Sequence, residues 1–445
     1  MKDHYDHSDT GNAELLNDLY GGQLRYDNVT SKWYQWLDGH HYWQSLLEGE
    51  IRQFAIRTAQ YRAIKASNLD GDEAKSEFSF AVNSRNLNRQ NAMITIAPAL
   101  PPIGNKIIWD DSPELLATAN GVVDLRSGRL RPGMKTDYIT RGLHHPYIPY
   151  SDCPRWEQFI REITCNNHDT AKFLQRAIGY TLTGSVREQV FFLLHGTGSN
   201  GKSVLLNIIG KLLEGFAKPV RFNTFEENNI SDAKRDLAEL PGIRAVFASE
   251  GSSTKAIDTA IIKQVTGSEP ITTSRKYGHP FTYKPQFKLW LTTNNLPKVD
   301  DDSYGFWRRI IIIPFDAKFE GDNKDEFLED KLTEELNGIL AWAIDGARIW
   351  FEQRLSTPNH LLLKVVQYRD SQDEVEAFVQ DSCIKDLNLE CPSAVLYLSY
   401  CRWCQENGRS PMSNTLFGRK MGAKFSFHHS VSGKVYEGVF IRIAT

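Results

Sequence analysis

Gly196-Thr197-Gly198-Ser199-Asn200-Gly201-Lys202-Ser203 spaces its residues as phosphate chemistry requires. The glycines let backbone N–H groups turn inward on a polyphosphate, Lys202 neutralises the β and γ charge, and the Ser203 hydroxyl is placed to ligate magnesium. The pattern predicts ATP and Mg2+ as cofactors, but not which reaction they serve. Glu250 ends "IRAVFASEG", where a carboxylate polarises an attacking water and helps hold the metal. A solvated glutamate at a strand end is the plainer alternative. Asn294 ends "FKLWLTTNN", 44 residues further on. An amide there orients water against a γ-phosphate, although asparagine after a strand is also a common turn former. Arg308 and Arg309 precede "IIIIPF", and two adjacent guanidiniums need an anion to face. That anion is either a structural carboxylate or a nucleotide held by a neighbouring subunit, as for an arginine finger. Arg309 abuts the strand and is the better finger; the second case demands a ring.

The elements needed to position these groups are legible around them. "QVFFLLHG" reads as a strand buried on both faces, and Val204, Leu205, Ile208, Ile209, Leu212 and Leu213 recur at helical spacing after the loop. Further apolar runs at residues 243–248, 287–291 and 310–315, with helical stretches between, predict an α/β core with a central parallel sheet over residues 188–318. Residues 1–150 predict a small α+β domain. "LRYDNVTSKWYQWLDGHHYW" alternates as short strands turning at Asp38-Gly39, residues 45–66 read as a helix, and a second hairpin turns at Ser127-Gly128. Trp33, Trp36 and Trp43 are expected in its core rather than stacked on bases. Asp70 and Asp72 lie in a polar, turn-like stretch and make no acidic triad. Residues 151–187 read as a helical collar and 319–385 as a helical segment. Residues 386–445 suit a winged helix, with "SNTLFGRKMGAKF" as the recognition helix capped by Ser413 and a strand pair around Ser432-Gly433.

Composition bounds the function. The chain has 445 residues, 41% hydrophobic and 24% charged, with a formal net charge of -3, as in ordinary globular proteins. No apolar run is long enough to cross a bilayer, so no membrane partner is expected. The polar start "MKDHYDHSDT" has no apolar export signal, which makes the cytoplasm the expected location. Six cysteines are too few for a disulfide framework. Cys401 and Cys404 lie within one amphipathic helix, poor geometry for a closed zinc site, and are expected as buried thiols. From residue 401 onward seven Lys or Arg face only Glu406 and Glu437, a basic segment suited to a polyanion.

Residues 191–315 resemble the superfamily 3 helicases of the AAA+ class, of the phage and plasmid primase type related to the poxvirus primase-helicase. The resemblance is carried by "GTGSNGKS", "FASEG", "IIKQVTGSEPITTSRKYGHPFTYKPQFKLWLTTNNLP" and "FWRRIIIIPF", with weaker likeness through "ANGVVDLRSGRLRP", "LQRAIGYTLTG" and "LYLSYCRWCQENG". It implies an ATP-driven replicative DNA helicase of a mobile element, a hexameric ring moving 3'-to-5' on single-stranded DNA in its central channel. It also implies that "ITTSRKYGHPFTY", folding at Tyr277-Gly278, is a channel hairpin. Arg275, Lys276, Tyr277 and His279 near its tip would track phosphates without reading sequence, with Lys263 on the preceding helix as a further contact. The C-terminal domain would bind duplex or origin DNA through Arg419, Lys420 and Lys424. The first 150 residues lack a primase triad, so a separate primase or polymerase is the expected partner. Ser249 precedes Glu250 where some relatives have a second acid, which leaves Glu250 to serve both metal and water. A reading from another class is an origin-binding initiator that uses ATP as an assembly switch without processive unwinding. A small-molecule kinase would leave the Asn294 and arginine elements surplus.

Overall fold

A computed structural model describes residues 4–227, 229–249, 256–276, 278–301, 303–409, 411–431 and 433–442. The chain divides into two compact units, Met1–Pro297 with Arg308–Pro358, and Lys298–Trp307 with Asn359–Thr445.

The first unit is built on a parallel sheet of β1 (Phe191–His195), β2 (Ala217–Pro219), β3 (Ala245–Ser249), β4 (Lys288–Thr293) and β5 (Ile310–Pro314), in the order β5-β1-β4-β3-β2. Phe192 lies opposite both Trp290 of β4 and Ile311 of β5. Phe191 to Leu194 are at most 1% exposed, because a central parallel strand is covered on both faces. The helix Lys202–Leu213 follows β1 and buries Leu205, Ile208, Ile209, Leu212 and Leu213 as its spacing predicts; Leu206 is buried as well, while Val204 is only half-buried. All strands run the same way, so the residues that follow β1, β3 and β4 emerge at one edge of the sheet, where ligands of open α/β sheets bind.

Two helices, His168–Leu182 and Leu336–Gln353, meet through glycines. A Cβ on Gly179 would fall 2.1 Å from the Ala347 nitrogen, and one on Gly346 would fall 2.2 Å from the Gln175 oxygen. Only glycine lets the two backbones approach so closely.

Upstream, the strands Leu24–Asp27, Lys32–Trp36 and Trp43–Leu46 form an antiparallel sheet, and Leu115–Thr118, Gly121–Asp124 and Arg129–Arg131 form another. Gly39 and Gly128 take the positive φ that their turns require. Trp33, Trp36 and Trp43 are 7%, 7% and 0% exposed, so they fill the core. The helix expected over 45–66 starts later, at Glu48, because Trp43–Leu46 first pairs with Lys32–Trp36. Asp70 stands at the N-cap of a further helix, Gly71–Asn83, and Asp72 pairs with Lys75 in its first turn. The stretch read as turn-like thus opens a helix.

Two buried cations and a half-buried carboxylate join the second small sheet, the helix His168–Leu182 and the central sheet. The Arg244 guanidinium donates to the carbonyls of Leu182 (2.6 Å) and Leu115 (2.7 Å), and burial pulls it down to about 10 against the pull of Asp110. The Lys288 ammonium donates to the carbonyls of Thr183, Ser185 and Gln286, and burial, then the Arg244 charge, hold it well below the usual lysine range. Asp110 accepts from the Thr140 N–H and hydroxyl, while burial raises its carboxyl.

The second unit has helices Asn359–Ser371, Glu374–Ser382, Ser393–Glu406 and Asn414–Lys424 and a three-stranded antiparallel sheet, Cys383–Pro392, Gly433–Ile441 and Phe427–Ser430 in that order. Ser413 caps the helix Asn414–Lys424 by accepting from the Leu416 N–H. The strand Cys383–Pro392 has no clear signal in the sequence; it is exposed along most of its length and is held by pairing to Gly433–Ile441. Phe378, Tyr400, Phe417 and Tyr436 form the aromatic centre of the core, and Cys383, Cys391 and Cys404 are buried beside them. Burial pushes the Cys383 thiol up to about 12, the behaviour of an inert core thiol. Lys298–Trp307 belongs to this unit: the Val299 N–H donates to Gln372 (3.1 Å), and the Trp307 ring meets Tyr368 edge-on at 5.3 Å.

Candidate functional site

The glycine-rich loop leaves β1 at His195 and enters the helix Lys202–Leu213. Gly198 and Gly201 adopt φ of +102° and +89°, and Ser199 between them +47°, so the backbone turns tightly. The Gly196 N–H donates to the Thr293 carbonyl (3.3 Å), which ties the start of the loop to the end of β4. Gly201, at the N-cap, has no side chain with which to cap the first turn of the helix. A phosphate suits such a helix start.

Lys202 is 7% exposed and donates to the Gly196 carbonyl and, at 3.3 Å, to the Asn294 side-chain oxygen. The structure therefore brings together two residues 92 positions apart, at the carboxyl ends of β1 and β4. Ser203 is exposed in the first helical turn and lines a cavity of about 650 Å³ with Asn207, Phe247, Ser249 and Glu329. Glu250 immediately follows β3 in sequence and lies outside the described residues. Thr197 and Ser199 are exposed on the loop, whereas Asn200 is 3% exposed and donates to the Phe315 carbonyl at 3.0 Å.

Arg308 and Arg309 lie at the other end of the sheet. β5 runs parallel to β1, with Ile310 opposite Phe191 and Pro314 opposite His195. The pair and the glycine-rich loop of the same chain are thus separated by the length of a strand, about 16 Å for five residues. Arg309 donates to the Thr266 hydroxyl (3.2 Å), and burial, then the Arg308 charge, pull its guanidinium below the usual arginine value. Arg308 donates to Gln189 at 2.5 Å. Neither polar neighbour had a signal in the sequence, since each is distant along the chain and carries no charge.

The segment expected as a hairpin pairs Ile271–Thr273 with Phe281–Tyr283 in antiparallel register. Arg275, Lys276 and His279 are exposed near its tip, and Tyr277 lies outside the described residues. Arg275 stands 3.3 Å from Glu239 and over the Phe281 ring at 5.6 Å. Lys263 is half-buried on the helix Thr259–Thr266.

In the second unit Arg419 is exposed and Lys420 half-buried on the helix Asn414–Lys424. Lys424 is engaged inside the unit, 2.7 Å from Asp373 and 2.9 Å from Glu376. Cys401 and Cys404 join no group of metal-ligating side chains among the described residues; the grouping found there is Glu390, His428 and Glu437, on the sheet.

The family described as "D5 N terminal like" matches residues 13–165, and "Poxvirus D5 protein-like" matches residues 370–437. Two D5 family models thus resemble the chain, one toward each end. Between the two, residues 194–309 match a family of unknown function, DUF5906. The chain is 28% identical over 387 residues to "Putative helicase L207/L206" of Acanthamoeba polyphaga mimivirus, covering 79% of this chain and 40% of that protein. It is 23% identical over 396 residues to "Putative helicase 022R" of Frog virus 3, covering 69% and 40%. It therefore spans about 40% of the length of these curated relatives. The apo A form of the NrS-1 C-terminal region shares its fold, with a TM-score of 0.50 at 11% identity over 95% of this chain and 97% of that one.

Proposed function

We propose that the protein is an ATP-driven DNA helicase, a ring of identical subunits, most simply a hexamer, that moves 3'-to-5' along single-stranded DNA during replication of a mobile or viral element. The observation that carries the reading is the placement of groups on the sheet. Lys202 and Asn294 meet at the carboxyl ends of the strands, while Arg308 and Arg309 stand at the opposite end of β5. A guanidinium that far from its own loop can serve a nucleotide only on a neighbouring copy. The names of the large-virus relatives and the fold shared with the NrS-1 region support the same reading.

In this reading the loop's N–H groups and Lys202 bind the ATP phosphates, and Ser203 and Glu250 hold Mg2+, which supplies charge neutralisation at the γ-phosphate. Glu250 accepts the proton of the attacking water. Asn294 orients that water, and its contact with Lys202 is exchanged for one with nucleotide when the loop fills. Arg309 offsets charge developing on the neighbour's nucleotide. Arg275, Lys276 and His279 follow the strand's phosphates, and Arg275 exchanges Glu239 for DNA as it does so. Arg419 and Lys420 would contact duplex or origin DNA; Lys424, already paired, holds the C-terminal core. A separate primase or polymerase completes the machinery.

The test combines native mass with ATP hydrolysis, with and without single-stranded DNA, for wild type and Lys202→Ala. A ring whose hydrolysis rises with DNA, lost in Lys202→Ala, together with unwinding of a forked duplex, is the expected result. A monomer indifferent to DNA would overturn the proposal, and DNA-responsive hydrolysis without unwinding would indicate an initiator.

A further inference from the structure

Asn200 sits in the loop that would bind phosphate, yet its side chain points away from the mouth and into the protein. It is 3% exposed and donates to the Phe315 carbonyl at 3.0 Å. Two backbone bonds reinforce that contact: the Phe315 N–H donates to the His195 carbonyl (2.8 Å), and the Phe319 N–H donates to the Ser199 carbonyl (2.8 Å). The approach is tight enough to dictate Gly196, where a Cβ would fall 2.3 Å from the Phe315 oxygen and 2.4 Å from the Asn200 amide nitrogen. The segment 315–319 thus clasps the loop at three points.

Phe315 is also the first residue after β5, and the residues just before β5 are Arg308 and Arg309. The strand between has little room to deform: Ile310 to Ile313 are 0–4% exposed and laddered to β1, and the Arg309 carbonyl accepts from the Phe191 N–H at 2.8 Å. A close-packed strand pinned at both ends transmits displacement rather than absorbing it. At its start, Arg309 donates to the Thr266 hydroxyl at 3.2 Å.

We propose that Asn200 is a positioning residue that joins the nucleotide loop to β5, so that filling of one subunit's loop shifts the arginine pair which that subunit presents to its neighbour. The proposal rests on the ring reading above and assigns the route by which adjacent sites are coupled. The nucleotide moves the loop, Asn200 and Gly196 pass the movement to Phe315, and β5 carries it to Arg309. Asn200 touches no reacting atom in this scheme.

The test uses the full chain in mixed rings, doped with increasing fractions of Lys202→Ala subunits, with DNA-stimulated ATP hydrolysis as the readout. Coupled sites make the rate fall faster than the fraction of active subunits. In Asn200→Asp, which keeps the size but loses the donor, the rate is expected to fall in simple proportion to that fraction. Binding of a fluorescent ATP analogue to undoped Asn200→Asp is measured alongside, so that a weakened loop is told apart from a lost coupling. Asn200→Ala serves the same purpose should the aspartate variant fail to fold. Tenfold weaker nucleotide binding with an unchanged steep doping curve would overturn the proposal and leave Asn200 a prop for the loop. A proportional curve in the wild type would also overturn it while leaving the ring ATPase intact, whereas a wild type without DNA-stimulated hydrolysis would defeat the functional reading itself.

Discussion

Substituting Gly179 by alanine tests the close packing of the helices His168–Leu182 and Leu336–Gln353. The added methyl would lie 2.1 Å from the Ala347 nitrogen, 2.3 Å from the Gly346 carbonyl carbon and 2.7 Å from the Ala343 oxygen. Favourable contacts between heavy atoms need about 3.5 Å, so His168–Leu182 and Leu336–Gln353 must part by about 1 Å or more. All three obstacles are backbone, and no side chain can swing aside. The cost belongs near the top of the overpacking range, about 3 kcal/mol. Alanine's better helix propensity returns about 1 kcal/mol. The net is a loss of about 2 kcal/mol, or roughly 4–8 °C in Tm at ~2–4 °C per kcal/mol. Thermal melting by circular dichroism measures it, with Gly49→Ala as the control, because a Cβ there meets nothing within 4 Å. A Gly179→Ala protein that melts with the wild type or above it would show that the two backbones do not touch as described.

Three further outcomes are expected. Arg244→Met leaves the Leu115 and Leu182 carbonyls unpaired and Asp110 without its buried cation, a loss of about 3–5 kcal/mol in denaturant unfolding, part of which Asp110→Asn should restore. Glu376 is held down to about 2 by hydrogen bonds from Lys385 and Lys424, below the 4.5 expected when unfolded. Its stabilisation is therefore complete above about pH 4.5 and is lost as the pH falls toward 2, and Glu376→Gln should remove that part of the acid dependence of unfolding. Arg309→Ala rings should bind ATP normally but hydrolyse it about 10³-fold more slowly. Mixing them with Glu250→Gln subunits, which still fill their loops, should restore part of the activity by pairing an intact site with an intact arginine, and a mixture as inactive as its parts would count against a site shared between copies.

The core was the most legible part of the sequence. Phe191 to Leu194 are apolar on both faces, as expected of a strand covered on both sides, and Ile310 to Ile313 carry the same signal. Local turn chemistry gave the hairpins at Gly39 and Gly128, and the Ser413 cap marked a helix start where one is found. Lys288 and Arg244 were not anticipated as buried groups, because a charged residue in a strand reads as an exposed or edge position. Their solvation comes from the backbone carbonyls at residues 182–185, 115 and 286, a supply that no local pattern reveals. Cys383–Pro392 was hidden for the converse reason: "IKDLNL" is polar, and only its partner strand makes it extended. Within the candidate site, spacing pointed to Lys202 and Asn294 separately, and the sheet order put them side by side. The inward aim of Asn200 and the contact of Arg309 with Thr266 depend on tertiary packing alone.

The ten residues from Lys298 to Trp307 bear on how the protein can be dissected. They lie in sequence between Asn294 and the arginine pair, yet they are packed with residues beyond Asn359: Val299, Phe306 and Trp307 are 4%, 0% and 5% exposed, and Tyr368 and Gln372 are among their neighbours. Cutting the chain at Pro358 to isolate the first unit would strip that cover and leave two aromatic rings bare a few positions from Arg308. Such a fragment would misreport both solubility and turnover. Point substitutions on the exposed face of Asn414–Lys424 are the cleaner way to silence the C-terminal unit.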